Sequence, residues 1–266
     1  FLQSQGYRIV FFPSLWWAST HRNPHADVTF NPWHGFNLGH ALSRSDLRRT
    51  LRKKTLFEFT NVGSFANDDD YIERAFAGLA QVPGSGAGRP TFTFAHFLAP
   101  HGPYVFDADC RTTVNVPTGS PPVKDRSAAY IGMIRCIDRM VLTTVTEILR
   151  KSTVPPIILL QSDHGSKTLD FDGEPSPDKV SDAQARERFG AFGAYYLPAG
   201  GDSLFRDSVT VVNVLPKVFN FYFHTELPLS PDTHYMSVTG LGKRRIMDDR
   251  ALASGQRMGA KPGKLR

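Results

Sequence analysis

Long apolar runs are missing: no stretch of this 266-residue chain approaches the roughly 18–20 apolar residues a helix needs to cross a bilayer. Cysteine is nearly missing too. With only Cys110 and Cys136, the chain is no multiply stapled scaffold, and their spacing fits one bonded pair or two buried thiols equally well. No leader peptide opens the chain, which starts on Phe1 rather than Met. It is therefore expected to be part of a longer polypeptide. No G-x-S-x-G elbow is present, so the triplet Ser162-Asp163-His164 gains no support as a hydrolase triad. Three consecutive strand residues also point to alternating faces and cannot bond to one another as such a triad does.

What is present reads as an ordinary globular α/β protein. The composition, 41% hydrophobic and 21% charged, excludes a disordered or fibrous chain. The length suits a single domain that buries about 70–75% of its unfolded surface. The net charge of +6 is concentrated in RSDLRRTLRKK (residues 44–54) and in the tail GKRRIMDDRALASGQRMGAKPGKLR (residues 242–266). Such runs are most often solvated faces. No nucleic-acid signature accompanies them, so no nucleic-acid partner is expected. Anionic lipid is the ligand to expect if either run binds anything.

Strand and helix patterns alternate. YRIVFF (7–12) reads as a strand. Ser43 or Ser45 can cap a helix running to about residue 59. DDDYIERAFAGLAQV (68–82) reads as a helix with acids in its first turn and Ile72, Phe76 and Leu79 on one face. Residues 91–98 form a strand ended by Pro100. After Asp125, the residues Tyr130, Ile134, Ile137, Val141, Val145 and Ile148 make a continuous helical stripe. Residues 157–161 are apolar enough for a central parallel strand. Residues 166–185 read as a long loop, 189–198 as a fourth strand, and Ser208 as the cap of a helix kinked at Pro216. The expected organisation is one domain over 1–240 and a disordered basic tail over 241–266. Strands separated by helices imply α/β architecture, a mostly parallel sheet with helices on both faces. In such sheets ligands bind beyond the carboxyl ends of the strands.

Two segments fall at such ends. IILLQSDHGSK (157–167) delivers Asp163 and His164 just past a strand, and Gly165 lets the chain turn sharply there. A carboxylate beside an imidazole suits a divalent ion, although the pair is also what an ordinary polar turn contains. HFLAPHGPY (96–104) places His101 in a tight loop after another strand end. There it can bind an anionic oxygen, protonate a leaving group or ligate a metal. His96 falls on the opposite face of its strand and reads as a packed histidine. Lys167 and Arg188 are candidates to neutralise a phosphate or sulfate, or simply solvated charges. His21, His25, His34 and His40 have no ligand-like spacing. Trp16, Trp17 and Trp33 read as packing residues, and Asn213 as a structural hydrogen-bonder.

The order of GYRIVFFPS, PTFTFAHFLAPHGPYVFD, PPIILLQSDHG, ERFGAFGAYYLP, VTVVN and FNFYF, spanning about residues 6–235, resembles the sulfatase/alkaline-phosphatase superfamily. It is most similar to bacterial membrane-anchored sulfatase-like proteins related to lipoteichoic acid synthase and phosphoethanolamine transferases. The resemblance implies an alkaline-phosphatase-like fold and one divalent metal ion (Zn, Mn, Mg or Ca) on Asp163 and His164. It implies that His101 contacts the phosphate or sulfate ester, with Lys167 as a further substrate contact. It also implies an extracytoplasmic, membrane-anchored setting, and there a Cys110–Cys136 disulfide is favoured over free thiols. The nucleophile and first acidic ligand of the family have no counterpart here. They are expected, with the transmembrane portion, in a missing N-terminal part. Between Gly165 and Phe223 there is no histidine, so a one-metal site is expected. Two functional readings follow from these expectations. One is a metal-dependent hydrolase or transferase of phosphate or sulfate esters at the cell envelope, here without its nucleophile. The other is a non-catalytic remnant or binding module that keeps the fold.

Overall fold

The run RIVFF forms β1 (Arg8–Phe12), the central strand of a three-stranded parallel sheet. It pairs on one side with β2 (Val28–Thr29) and on the other with β3 (Thr91–Ala95), in register from Arg8 opposite Thr91 to Phe12 opposite Ala95. The computed structural model describes residues 1–14, 23–30, 69–86, 88–113, 123–166, 168–169, 179–205, 209–237 and 244–247. The chain divides into two compact units, 1–153 and 154–266. The helix expected over about 43–59, the tryptophans, and His21, His34 and His40 lie outside the described residues.

In the first unit two helices stack onto this sheet. Helix α1 (Asp69–Leu79) has Asp69 and Asp70 in its first turn, where carboxylates favour the helix N-terminus. Its Tyr71 and Ala75 pack on Val10 and Phe12 of β1. Its Ile72 and Phe76 turn the other way, onto Met133, Cys136 and Ile137 of α2 (Val123–Lys151). Alternation along β1 explains the first contact: residues two apart share a face, so Val10 and Phe12 meet α1 together. Phe30 closes this layer, stacked 4.6 Å from Phe12.

The stripe foreseen on α2 is rotated in the fold. Its deepest residues are Met133, Cys136, Ile137 and Thr144, and of the foreseen set only Ile137 is buried. Apolar spacing defines a broad face, whereas the partner selects its centre. Here Cys136 is bonded to Cys110, and the Thr144 hydroxyl donates to the Phe76 carbonyl at 3.4 Å.

In the second unit, β4 (Ile158–Gln161) pairs with β5 (Gly193–Tyr196), with Ile158 opposite Tyr196 and Gln161 opposite Gly193. This pairing is antiparallel, which corrects the expectation of a central parallel strand. An apolar run reports burial and carries no information on strand direction. The long loop expected over 166–185 is also corrected at its end, where α3 (Asp182–Phe189) begins. This short helix ends beside the point where β4 ended. Ser162 N–H donates to the Phe192 carbonyl at 3.0 Å, and Phe192 N–H donates back to the Ser162 hydroxyl at 2.7 Å. The chain thus re-enters the sheet at the same edge and must run back along β4.

Helix α4 (Val211–Phe223) carries Pro216 inside it and starts after Thr210, not Ser208. Buried Asn213 anchors it to the following loop: its amide donates to the Ser230 carbonyl at 2.9 Å, and its oxygen accepts from Ser230 N–H at 2.9 Å. Strands β6 (His234–Ser237) and β7 (Arg244–Met247) pair antiparallel. Part of the expected disordered tail is therefore a strand; the rest of it lies outside the described residues. Met236 of β6 packs with Val180 and with Ala185 of α3.

Candidate metal and ester site

The Asp163-His164 pair lies two residues past β4. Asp163 Oδ2 and His164 Nε2 are 3.4 Å apart, with the Asp163 side chain 85% and the His164 side chain 40% exposed. Two ligand-type atoms therefore converge on one accessible point. The turn that makes this possible needs Gly165. A Cβ there would lie 1.9 Å from the Glu187 carbonyl oxygen and 2.9 Å from that of Gly190. In its place the bare backbone docks on α3, with Gly165 N–H donating to the Arg188 carbonyl at 2.8 Å.

Helix α3 is the platform of this loop. Ser181 and Gln184 form a reciprocal capping box around the sequence SDAQ. In its last turn, the Glu187 carboxylate accepts from Ser166 Oγ at 2.5 Å, from Thr168 N–H at 2.6 Å and from Leu169 N–H at 2.7 Å, and also from the Thr168 hydroxyl. Burial raises the pKa of this carboxyl, but the donated hydrogen bonds outweigh burial and hold it below the ordinary glutamate range. Glu187 was not foreseen. Charged groups on a short, mostly polar helix offer no periodic apolar signal.

Arg188, from the last turn of α3, reaches the back of the imidazole. Its Nη1 lies 2.6 Å from His164 Nδ1 and 3.4 Å from the Gly165 carbonyl. The same Nδ1 is 2.8 Å from the Gly165 oxygen. Lys167, the other cation expected near this pair, lies outside the described residues.

His101 belongs to the first unit and follows β3. Its N–H donates to the Leu98 carbonyl at 2.8 Å, and its Nδ1 is 2.7 Å from the Gly102 carbonyl. The ring is exposed, and the flanking Ala99–Pro100 and Gly102–Pro103 peptides are cis. In both His-Gly dipeptides, Nδ1 lies near the next residue's carbonyl oxygen. Nine residues on, Cys110 is joined to Cys136 of α2 by a disulfide with a Cα–Cα distance of 5.0 Å. The main chain just before Cys110 is fixed by Asp107, whose carboxylate accepts from Asp109 N–H at 2.8 Å and Arg111 N–H at 2.9 Å.

A sequence-family model described as Sulfatase matches residues 1–198, a span holding His101, Asp163, His164, Glu187 and Arg188. The chain belongs to the sulfatase family. Membership gives this sulfatase-like chain an alkaline-phosphatase-like α/β fold and a hydrolase-type domain. Sulfatase-family proteins typically use a divalent metal and take sulfate or phosphate esters. No curated protein and no solved structure gives a significant match to the chain. The family's metal finds a chemically suitable partial set here: a carboxylate and an imidazole, both outward and converging. Among the described residues no cluster of three metal-type donors occurs. Asp163 and His164 alone do not make up a complete ligand set.

Proposed function

We propose that this chain contributes to a divalent-metal-dependent sulfatase-like enzyme acting on sulfate or phosphate esters, with Asp163 and His164 as metal ligands. The observation that carries this reading is the 3.4 Å convergence of Asp163 Oδ2 and His164 Nε2 past the end of β4, on a loop fastened to α3 by Gly165 and Glu187. A metal bound there would supply Lewis-acid stabilisation of the ester's oxygens. The remaining ligands and the nucleophile are assigned to residues outside the described set.

The chain's own groups then have distinct roles. Asp163 brings negative charge that offsets the cation. His164 presents Nε2, its ring held by the Gly165 carbonyl behind Nδ1, the second-layer contact common to metal-bound histidines. His101, whose Nδ1 lies toward the Gly102 carbonyl, is read as a contact for the ester's charged oxygens, and Lys167 as a further candidate substrate contact. We assign the protein to an extracytoplasmic, membrane-anchored setting, a reading supported by the Cys110–Cys136 bond. Assay of aryl sulfate and aryl phosphate cleavage by the intact enzyme that contains this chain, with and without a chelator, tests the proposal. Chelation and Asp163→Ala should each abolish turnover, and His101→Ala should reduce it while leaving metal content unchanged. Turnover that persists after chelation would contradict it.

A further inference from the structure

A half-open cleft of about 200 Å³ lies in the first unit, where the loop that follows His101 meets α2. Tyr104 and Phe106 of the loop wall it, and Ala128, Ala129 and Gly132 of α2 face them. The polar groups of the lining are turned to partners of their own. Asp107 keeps its carboxylate on the N–H groups of Asp109 and Arg111, at 2.8 and 2.9 Å. The Thr113 hydroxyl donates to the Tyr104 carbonyl at 2.6 Å. The surface offered to a ligand is therefore almost wholly apolar, and two aromatic rings contribute to it.

The walls are fixed before any ligand arrives. Phe106 is buried in the core of the unit. The Cys110–Cys136 bond ties the loop to α2, and the Arg139 guanidinium donates to the Ala108 carbonyl. Gly132 brings the helix so near that a Cβ there would lie 3.3 Å from Ala108 N. A site built in this way needs little ordering when its ligand binds. Size narrows the occupant, since an apolar cavity of about 150 Å³ takes one benzene ring.

Position connects the cleft to the ester. Tyr104 is three positions beyond His101, so their Cα atoms are at most about 11 Å apart. The inference rests on the reading of His101 as the contact for the ester's charged oxygens. An ester held there by its charge has its alcohol side within reach of the cleft. We propose that this cleft is a specificity subsite, taking a compact apolar group of about ring size on the ester's alcohol side.

Heteronuclear NMR of the full chain separates the parts with three probes: phenol for the ring, inorganic phosphate for the charge, and phenyl phosphate for both. Phenol should shift the amides of residues 104–108 and 128–132, and phosphate those around His101. Phenyl phosphate should shift both sets and bind about tenfold or more tightly than phosphate, as burial of a ring implies. Ala128→Leu puts a larger side chain into the cleft from an exposed helix position. It should abolish the phenol shifts and bring phenyl phosphate down to the affinity of phosphate, with phosphate binding unchanged. Ala129→Leu repeats the test should that variant fail to fold. Phenol that leaves the cleft amides unmoved, or phenyl phosphate that binds wild type no more tightly than phosphate, overturns the proposal. So does wild-type preference for phenyl phosphate in a folded Ala128→Leu variant. His101→Ala distinguishes the underlying reading: phosphate binding equal to wild type refutes His101 as the charge contact, whatever phenol shows at the cleft.

Discussion

The carbonyl oxygen of Glu187 occupies the space that a side chain at Gly165 would require, 1.9 Å from the position of its Cβ. This contact is between main chains, so neither partner can yield by rotating a side chain. Gly165→Ala is expected to push the Asp163-His164 loop off α3, at a cost of about 1–3 kcal/mol, and to weaken metal affinity. Thermal unfolding and metal titration of the variant check this. Wild-type values in both would show that the loop does not depend on the close approach.

Glu187 makes the same junction sensitive to acid. Its folded-state pKa is held below the ordinary range despite burial, by hydrogen bonds from Ser166, Thr168 and Leu169. A carboxyl with a depressed folded pKa adds stability above its unfolded value, about 4.3 for glutamate. That stability is lost as pH falls through the folded value. The gap in unfolding midpoint between wild type and Glu187→Gln should therefore stay level from pH 7 to about pH 5 and close under stronger acid. A gap that persists unchanged at pH 3 would mean that the carboxylate's charge contributes nothing.

The Cys110–Cys136 bond closes a loop of 26 residues, a constraint on the unfolded chain that stabilises by about 3–4 kcal/mol. Replacing both cysteines by alanine should lower the unfolding midpoint accordingly. Intact-mass analysis of natively produced protein should show alkylation of both thiols only after reduction. Two thiols alkylated without reduction would contradict the pairing.

Much of the fold was legible where one physical signal dominated. A short apolar run marked β1, and the acids and apolar face marked α1. Other features depended on partners that a pattern does not reveal. The run at residues 157–161 announced a strand, but its antiparallel pairing follows from how α3 returns the chain to Ser162. On α2 the spacing defined a wide apolar face, and contact with Phe76 and the Cys110 bond selected its buried centre. The site divides in the same way. Asp163, His164 and His101 stood out because their chemistry falls after strand ends. Glu187, which holds the loop through backbone donors of Thr168 and Leu169, carried no signal of its own. Arg188 read as a candidate anion neutraliser or a solvated charge, and its place behind His164 Nδ1 is a property of the folded turn.

The account turns on whether Asp163 and His164 hold a divalent ion, and a metal titration monitored by calorimetry tests that most directly. Wild-type protein stripped with a chelator and titrated with Mn²⁺ or Zn²⁺ should take up one ion per chain, and Asp163→Ala should abolish that uptake while the variant remains folded. Equal uptake by wild type and Asp163→Ala would contradict the assignment.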